Sequence, residues 1–444
     1  MYRGDVLFLR RYAWRIGLAA VIIVIAAVSM APTSGTVLDL RASGIEVEPS
    51  GETATVAPSS SATFVPGTSV LSTADHHDPA VARRVAADRA WLRAGTIPGE
   101  RTEYADMAER ALLDLRALTA DSGALMAAPV SSWRYVWPRD ASFAIAAFAV
   151  TGHHDDAADV FGFLAGVAPE DGRWEARYRT DGSGPPDDRP QQLDGAGWVL
   201  WALWTFLRSE PDDDLAADVI DTMREAAVDS ADAIVDSLDE DGLPEVSSDY
   251  WEKSESEVTL GVAAPLASGL HAAIALAPEL GVDDTAWRAA SARLDAALHE
   301  RFGSHGYPRT LPDGGADAAV SFLAPPFAPP ASAVRDAVVS AEEALRVPNG
   351  GHRPGEAWTK DVGVAWTPET GLLALALAGQ GERDHAERLL TFLDTYRTPH
   401  GSLPEKVDSS AEPASVAPLA WTSSLVLLTL TELTDGLPVV PIPR

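Results

Sequence analysis

Strongly apolar helical stretches recur along this chain at intervals of roughly 50–60 residues, and amphipathic stretches alternate with them. Apolar residues dominate near 144–150, 198–207, 260–276, 372–377 and 425–430, whereas acids and arginines occupy one face of 213–238, 284–302 and 384–397. A helix that is apolar on most sides has to be buried. The pattern therefore predicts stacked helical hairpins. About six pairs would close into an all-α ring, an (α/α)6 barrel or six-hairpin toroid; an open solenoid of helix pairs is the alternative.

The helical region begins at Asp78-Pro79, an N-cap residue followed by a proline suited to the first turn. Strand-like alternation is hard to find beyond this point. We expect helices at 80–94, 101–119, 139–151, 154–168, 195–209, 213–238, 258–277, 284–302, 331–346, 367–381, 384–397 and 416–434, with a shorter one at 315–324. The sequence thus indicates one helical domain over residues 78–436, followed by a tail at 437–444.

Long polar loops precede the apolar helices, near 120–138, 170–194, 239–257, 303–316, 347–366 and 398–415. In a closed ring all of these loops meet at one end, whereas the reverse connections are short. Elaborated loops on one face are typical of a functional site. Six tryptophans lie in these loops or at their edges, which favours the barrel over the solenoid: Trp133, Trp137, Trp174, Trp251, Trp358 and Trp366.

The N-terminal residues differ in composition from the helical domain. A basic segment, residues 1–15, precedes an apolar run at 16–31. This order favours a cytoplasmic N-terminus and a remainder outside the cytoplasm. The run is intermediate between a signal-peptide core and a full membrane span, so a single-pass cell-membrane anchor and a cleaved signal of a secreted protein both stay open, with the anchor favoured. Residues 32–77, rich in Ser, Thr, Pro, Gly and Val, predict a flexible linker.

Charge and cysteine content exclude several classes of partner. The formal net charge is −31, which argues against nucleic acid or an anionic membrane surface and favours a neutral substrate. Cysteine is absent, and the histidines show no metal-like spacing, so neither a metal nor a cofactor is expected. The three lysines of the chain, Lys253, Lys360 and Lys406, all lie in the long loops. The oligomeric state is left open.

Glu252 is the first candidate for acid chemistry, because it follows Trp251 and lies three residues after Asp249. An aromatic neighbour disfavours the charged form of a carboxyl group, as a general acid requires. One more acid in an acidic chain is the simpler interpretation, and Trp174-Glu175 is a second such pair. However, Glu405 lies in the sixth long loop and Glu252 in the third. In a six-fold ring these loops face each other, which suits glycoside hydrolysis with inversion at a carboxyl separation of roughly 6.5–9.5 Å.

Six short motifs occur in order along the helical domain. They are Trp-Pro-Arg-Asp at 137–140, Arg-Pro-Gln at 189–191 with Asp-Gly at 194–195, Asp-Tyr-Trp-Glu at 249–252, Asp-Ala-Ala at 317–319 leading to Pro325, Arg-Pro-Gly-Glu at 353–356 followed by Trp366, and Leu-Pro-Glu at 403–405. Each motif is modest alone. Their joint order resembles glycoside hydrolase family 15, the glucoamylase and glucodextranase family, over roughly residues 80–435.

The resemblance implies an (α/α)6 glycosidase with Glu252 as general acid and Glu405 as general base. We expect these motifs and their neighbours to bind the substrate through Trp137, Arg139, Asp140, Gln192, Asp194, Asp249, Trp251, Lys253, Arg353 and Trp366. Lys253 and Lys406, each following a catalytic glutamate, depart from the family pattern and put its α-1,4-glucan preference in doubt. The expected activity is inverting, exo-acting release of a terminal sugar, β-D-glucose, from an α-glucan or α-glucoside. A trehalase-type enzyme and a non-catalytic carbohydrate-binding surface protein are the alternatives.

Overall fold

The computed structural model describes residues 35–75 and 77–443. The basic segment 1–15 and the apolar segment 16–31 lie outside the described residues. Within the described part, one helix, Leu260–Leu280, is long and apolar enough to cross a membrane by length and composition alone. Because 94% of its apolar window is buried inside the protein, it is a core helix of the domain.

Twelve α-helices are found in the described residues, close to where the apolar periodicity predicts them. They are α1 (Pro79–Ala94), α2 (Ala105–Leu118), α3 (Pro138–Val150), α4 (His154–Val167), α5 (Asp194–Arg208), α6 (Asp213–Ser237), α7 (Leu260–Leu280), α8 (Thr285–Ala297), α9 (Ser332–Leu345), α10 (Thr367–Gly379), α11 (Arg383–Thr395) and α12 (Ala420–Thr434). The predicted short helix is a 3₁₀ helix, Ala318–Leu323. It stops before Pro325-Pro326, because proline disfavours helix in the residue before it and cannot donate a helical hydrogen bond.

Six inner elements form the ring: α3, α5, α7, the 3₁₀ helix, α10 and α12, each packed against the next, with α12 closing onto α3. Their outer partners are α4 on α3, α6 on α5, α8 on α7, α9 on the 3₁₀ helix, α11 on α10, and α2 on α12. The inner helices are buried nearly all round, as their apolar composition requires. The all-α barrel predicted from the sequence is confirmed, and the open solenoid is not found.

Two glycines allow α5 and α7 to cross in direct backbone contact. A Cβ atom added to Gly197 would lie 2.2 Å from the carbonyl oxygen of Pro265, and one added to Gly269 would lie 2.5 Å from the Cα of Gly197. Any side chain at either position would therefore force these two inner helices apart. The crossing joins the two inner helices that follow the second and third long loops.

The described part of the predicted flexible linker is instead packed on the barrel, which corrects that prediction. Strands β1 (Gly44–Val47) and β2 (Thr53–Val56) form an antiparallel hairpin whose Ile45 is fully buried. Ser43 Oγ is hydrogen-bonded to His400 Nδ1 at 2.7 Å, and Arg110 Nη1 donates to the Thr68 carbonyl at 3.0 Å. The alternating apolar residues of β1 bury one face against the domain, which composition alone did not reveal.

The remaining strands are two-residue pairings between the long loops. β3 (Tyr135–Val136) pairs with β4 (Tyr178–Arg179), and β5 (Ala365–Trp366), β6 (Lys406–Val407) and β7 (Pro413–Ala414) form a three-stranded sheet in that order. All of the pairings are antiparallel. They tie together the first and second loops, and the fifth and sixth, at the same end of the ring.

If the hairpin belongs to the domain, Ile45→Ala should lower the free energy of unfolding by about 2–4 kcal/mol, as for other large-to-small core changes. The expected cost follows from the full burial of Ile45. Urea unfolding followed by tryptophan fluorescence measures it. Val37→Ala, at a position 69% exposed in the same segment, is the control and should change nothing measurable. If the two variants are equally stable, residues 35–75 behave as the flexible linker that the sequence predicted.

Candidate active site

The long loops surround a cavity of about 300 Å³ at one end of the ring, which is at the lower end of the size range of small-molecule sites. Six tryptophans line it: Trp133, Trp137, Trp251, Trp358, Trp366 and Trp421. Four carboxyl groups line it too: Asp140, Glu252, Glu369 and Glu405. The two glutamates predicted to form the catalytic pair therefore share one cavity, and their loops are separated by half of the ring.

Glu252 accepts hydrogen bonds on both carboxylate oxygens. Oε1 accepts from Trp137 Nε1 at 2.7 Å and from Gln192 Nε2 at 3.2 Å, and Oε2 accepts from the Arg189 guanidinium. The backbone of Glu252 has a φ of 55°, and left-handed conformations cost a non-glycine residue roughly 1–3 kcal/mol and cluster at functional sites. The chain is thus bent at Glu252 so that its carboxylate meets donors from the first and second loops.

Glu405 is fixed by both its backbone and its side chain. Its N–H donates to the Val416 carbonyl at 2.8 Å, and its carbonyl accepts from Thr367 N at 3.0 Å. The carboxylate accepts from Trp133 Nε1 at 3.4 Å and from the Ser415 hydroxyl. The residues before the hairpin support this arrangement, because Ser415 exchanges backbone hydrogen bonds with residues 39 and 41.

Arg139 is the buried cation at the centre of the acidic side of the cavity. Its guanidinium lies 3.4 Å from Asp140, 3.6 Å from Asp194 and 3.9 Å from Glu252. Burial lowers the pKa of Arg139, but these carboxylates outweigh the burial and raise it. Burial raises the pKa of Asp140 to about 6 and that of Asp194 to about 7, against the lowering effect of Arg139. Asp140 lines the cavity, whereas Asp194 lies behind Arg139 and does not.

Trp251 is held by a second buried arginine. The Arg309 guanidinium carbon lies 3.6 Å from the centroid of the Trp251 ring. Arg309 also forms ion pairs with Asp249 at 2.9 Å, Asp317 at 3.1 Å and Glu255 at 2.7 Å, and its side chain is only 4% exposed. Such a stacked, multiply bonded guanidinium is a rigid support. Arg309 therefore sets the position of one aromatic wall of the cavity.

Asp249 belongs to this support and does not line the cavity. Its carboxylate is fully buried and accepts from Trp251 N at 2.9 Å and from Thr259 Oγ1 at 2.8 Å. Gly355 packs closely against the same support, since a Cβ there would lie 2.6 Å from Trp251 and 2.7 Å from the Asp317 carboxylate. The predicted substrate contact of Asp249 is thus replaced by a positioning role within the fold.

The structure does not bring Arg353 to the cavity, which corrects its prediction as a sugar-binding residue. Its N–H donates to the Leu345 carbonyl at 3.0 Å, and its guanidinium approaches the Ala344 carbonyl at 3.5 Å, on the outer helix α9. The next residue, Pro354, lines the cavity. Because successive side chains of an extended segment point to opposite faces, Arg353 is directed away from the cavity.

Two further predicted contacts lie behind the cavity wall. Gln192 does not line the cavity, but its Nε2 donates to Glu252 and its Oε1 accepts from Arg139 Nη1 at 3.4 Å. Lys253 does not line the cavity; its Nζ lies 4.6 Å from the Trp251 ring centroid and 5.4 Å from that of Trp358. Lys406 packs in the same way on Trp366, at 3.8 Å, and also pairs with Asp361 at 3.2 Å. Both lysines contact the outside of the aromatic wall.

The remaining predicted residues are where the motifs indicated, and several others were missed. Trp137, Arg139, Asp140, Trp251 and Trp366 line the cavity with the two glutamates, whereas Trp174 is buried elsewhere against Ser230. The sequence assigned no role to several other cavity residues, among them Arg177, Tyr250, Glu369 and Trp421. One signal was available, because Glu369 is the only charged residue of the otherwise apolar inner helix α10.

The chain was compared with known proteins. No protein-family model matches it. It is 31% identical over 121 residues to an uncharacterized glycosyl hydrolase of Methanocaldococcus jannaschii, a match that covers 27% of this chain and only 19% of that protein's length.

Similar solved structures cover more of the chain. A glycosidase has a TM-score of 0.62 at 22% identity, over 75% of this chain and 97% of its own. A bacterial glucoamylase complexed with acarbose has a TM-score of 0.63 at 15% identity, over 80% of this chain and 59% of its own. A glycoside hydrolase family 15 glucoamylase from Hypocrea jecorina has a TM-score of 0.60 at 14% identity, over 73% of this chain and 69% of its own.

The fold is therefore the six-hairpin toroid found in these glycosidases. Within that class the chain resembles the glucoamylases of glycoside hydrolase family 15, as its motifs predicted.

Proposed function

We propose that this chain is an inverting, exo-acting glycoside hydrolase that releases β-D-glucose from the end of an α-glucoside. One observation carries the proposal: Glu252 and Glu405 line a single tryptophan-walled cavity from loops half a ring apart. Flat aromatic faces suit sugar rings. Similar glycosidase structures have been solved with glucose and with acarbose, which supports a saccharide as the ligand.

In this mechanism Glu252 gives a proton to the glycosidic oxygen while the bond from that oxygen to the anomeric carbon breaks. A water molecule attacks the anomeric carbon from the other face, and Glu405 takes its proton as the new carbon–oxygen bond forms. Both oxygens of Glu252 are engaged before substrate binds. Arg189, whose side chain is 34% exposed, is the partner able to move and free Oε2 for the leaving group, since Trp137 is buried.

Arg139 and Asp140 are suited to hold the terminal sugar, the first as a hydrogen-bond donor and the second as an acceptor for hydroxyl groups. Pro368, Tyr250 and Trp421 contribute to the same cavity. A small pocket lined on all of these sides accepts a chain end more readily than the middle of a chain, which favours exo-action.

The test is a panel of maltose, isomaltose, dextrin, dextran and trehalose, with the released anomer followed by NMR. We expect β-D-glucose to appear first from at least one α-linked substrate. Initial α-glucose would contradict inversion, and turnover confined to trehalose would favour the trehalase alternative. Sugar binding without turnover of any substrate would favour a non-catalytic binding protein.

We also propose that the domain works outside the cytoplasm, on the membrane or secreted. The support is the basic segment 1–15 ahead of the apolar run 16–31. Protease treatment of intact cells that express the full chain tests this, because an outward-facing domain should be cleaved or found in the medium. Protection until the cells are lysed would contradict it.

A further inference from the structure

Glu369 differs from the other three carboxyl groups of the cavity in having neither a side-chain hydrogen-bond donor nor a cation beside it among the described residues. Glu252 and Glu405 accept hydrogen bonds, and Asp140 lies 3.4 Å from the Arg139 guanidinium. Glu369 has no cation within ion-pair distance among the residues that the structure describes, and its Oε2 is buried without a hydrogen-bond partner. Its residue surface is only 3% exposed.

A buried carboxylate without a partner is strongly disfavoured, so such a group stays protonated. Four groups from the surrounding elements act on it: Arg139 of α3, Tyr250 of the third loop, Asp317 before the 3₁₀ helix and Glu405 of the sixth loop. The Tyr250 hydroxyl donates its hydrogen bond to Asp317 and not to Glu369. Burial, followed by Glu405 and Asp317, raises the pKa of Glu369 to about 8, against the lowering effects of its own backbone N–H and of Arg139.

We propose that Glu369 is a sugar-binding residue, whose neutral carboxyl group donates a hydrogen bond to a hydroxyl of the sugar bound beside Glu405. The inference rests on the proposed function, because it assumes that the cavity holds a sugar. Its geometry is independent of the acid–base pair: Glu369 lies in the first turn of inner helix α10, where it lines the same cavity. Asp140 and Glu405 can only accept when ionised, so a neutral Glu369 adds a hydrogen-bond donor to the carboxyl groups of the cavity.

The test is the affinity of the full chain for glucose, measured by tryptophan fluorescence. Glucose binding needs no turnover, so it does not depend on the catalytic roles of Glu252 and Glu405. Glu369→Gln keeps a neutral donor and should hold the Kd within about threefold at pH 6.5, whereas Glu369→Leu should raise it roughly tenfold, the usual effect of one lost hydrogen bond.

The pH dependence gives the second readout. As the pH rises through about 8, the unmodified chain loses the donated proton, so its Kd should rise roughly tenfold between pH 6.5 and 9.5. The Glu369→Gln variant should not show this rise. Asp140 and Asp194 titrate at lower pH and are present in both proteins, so the ratio of the two Kd values isolates Glu369.

Glu432→Gln is the matched control, because Glu432 is a partly buried acid near the end of α12 whose pKa burial also raises, but it does not line the cavity. It should leave glucose affinity unchanged at both pH values. Circular dichroism and thermal melting confirm that each variant folds.

Three results would overturn the inference. If the folded Glu369→Leu variant binds glucose as tightly as the unmodified chain, Glu369 makes no hydrogen bond to the sugar. If Glu369→Gln and Glu369→Leu lose the same amount of glucose affinity, Glu369 binds the sugar as an ionised acceptor and not as a neutral donor. Failure of the unmodified chain to bind glucose or any sugar of the panel would overturn the proposed function together with this inference, and is distinguishable because no variant is involved.

Discussion

Glu405→Gln is expected to lower kcat by roughly 10²–10⁴-fold, the range in which a general base contributes, while leaving the fold intact. Glutamine has the shape of glutamate and can still accept from Trp133 and Ser415. It cannot take a proton from water at neutral pH. The measurement is the initial rate of sugar release on the best substrate of the panel, together with thermal melting.

Glu245→Gln is the matched control for that substitution, since Glu245 follows the same Leu-Pro dipeptide as Glu405. Glu245 is half exposed, pairs with Arg173 and does not line the cavity. Its variant should keep the full rate. A Glu405→Gln protein with more than a tenth of the original kcat would show that another group acts as the base.

Arg309→Met should produce the largest loss of stability, about 3–5 kcal/mol in the free energy of unfolding, as expected when one partner of a buried ionic cluster is removed. Asp249 and Asp317 are fully buried beside Arg309 and would lose their shared cation. Trp251 would lose the guanidinium on which its ring rests. Urea unfolding at pH 7 measures the change.

Arg335→Met is the control for the Arg309 substitution. Arg335 pairs with Asp336 on the surface, and both side chains are well exposed, so its variant should lie within about 1 kcal/mol of the original chain. Unfolding curves that coincide for the two variants would mean that the buried cluster adds nothing to stability.

The helical fold was predictable because it depends on a periodic signal repeated along the chain. Helices that must be buried are apolar on most sides, and this property survives any detail of side-chain packing. The β-hairpin was missed because its strands are only four residues long and its partners, such as His400, lie more than three hundred residues away. A short contact pattern with a distant partner leaves no periodic trace in the local sequence.

The site was predicted in part, for a related reason. Motifs place a side chain in the right loop, but the sequence does not say on which side of the backbone it lies. Trp251 and Asp249 come from one motif, yet the first faces the cavity and the second is buried behind it. Arg353 and Pro354 divide in the same way. Arg309 was missed altogether, because its importance comes from three acids that only the folded chain assembles around it.

The segment ahead of the β-hairpin is bound at the cavity end of the ring, and this joins two of the loops that form the site. Thr36 N donates to the Val362 carbonyl at 3.0 Å, and the Thr36 carbonyl accepts from Ser409 N at 3.1 Å, so residue 36 is bound to both the fifth and the sixth loops. Because the fifth loop carries Trp366 and the sixth carries Glu405, one short segment of chain holds an aromatic wall and a carboxylate of the cavity in a fixed relation.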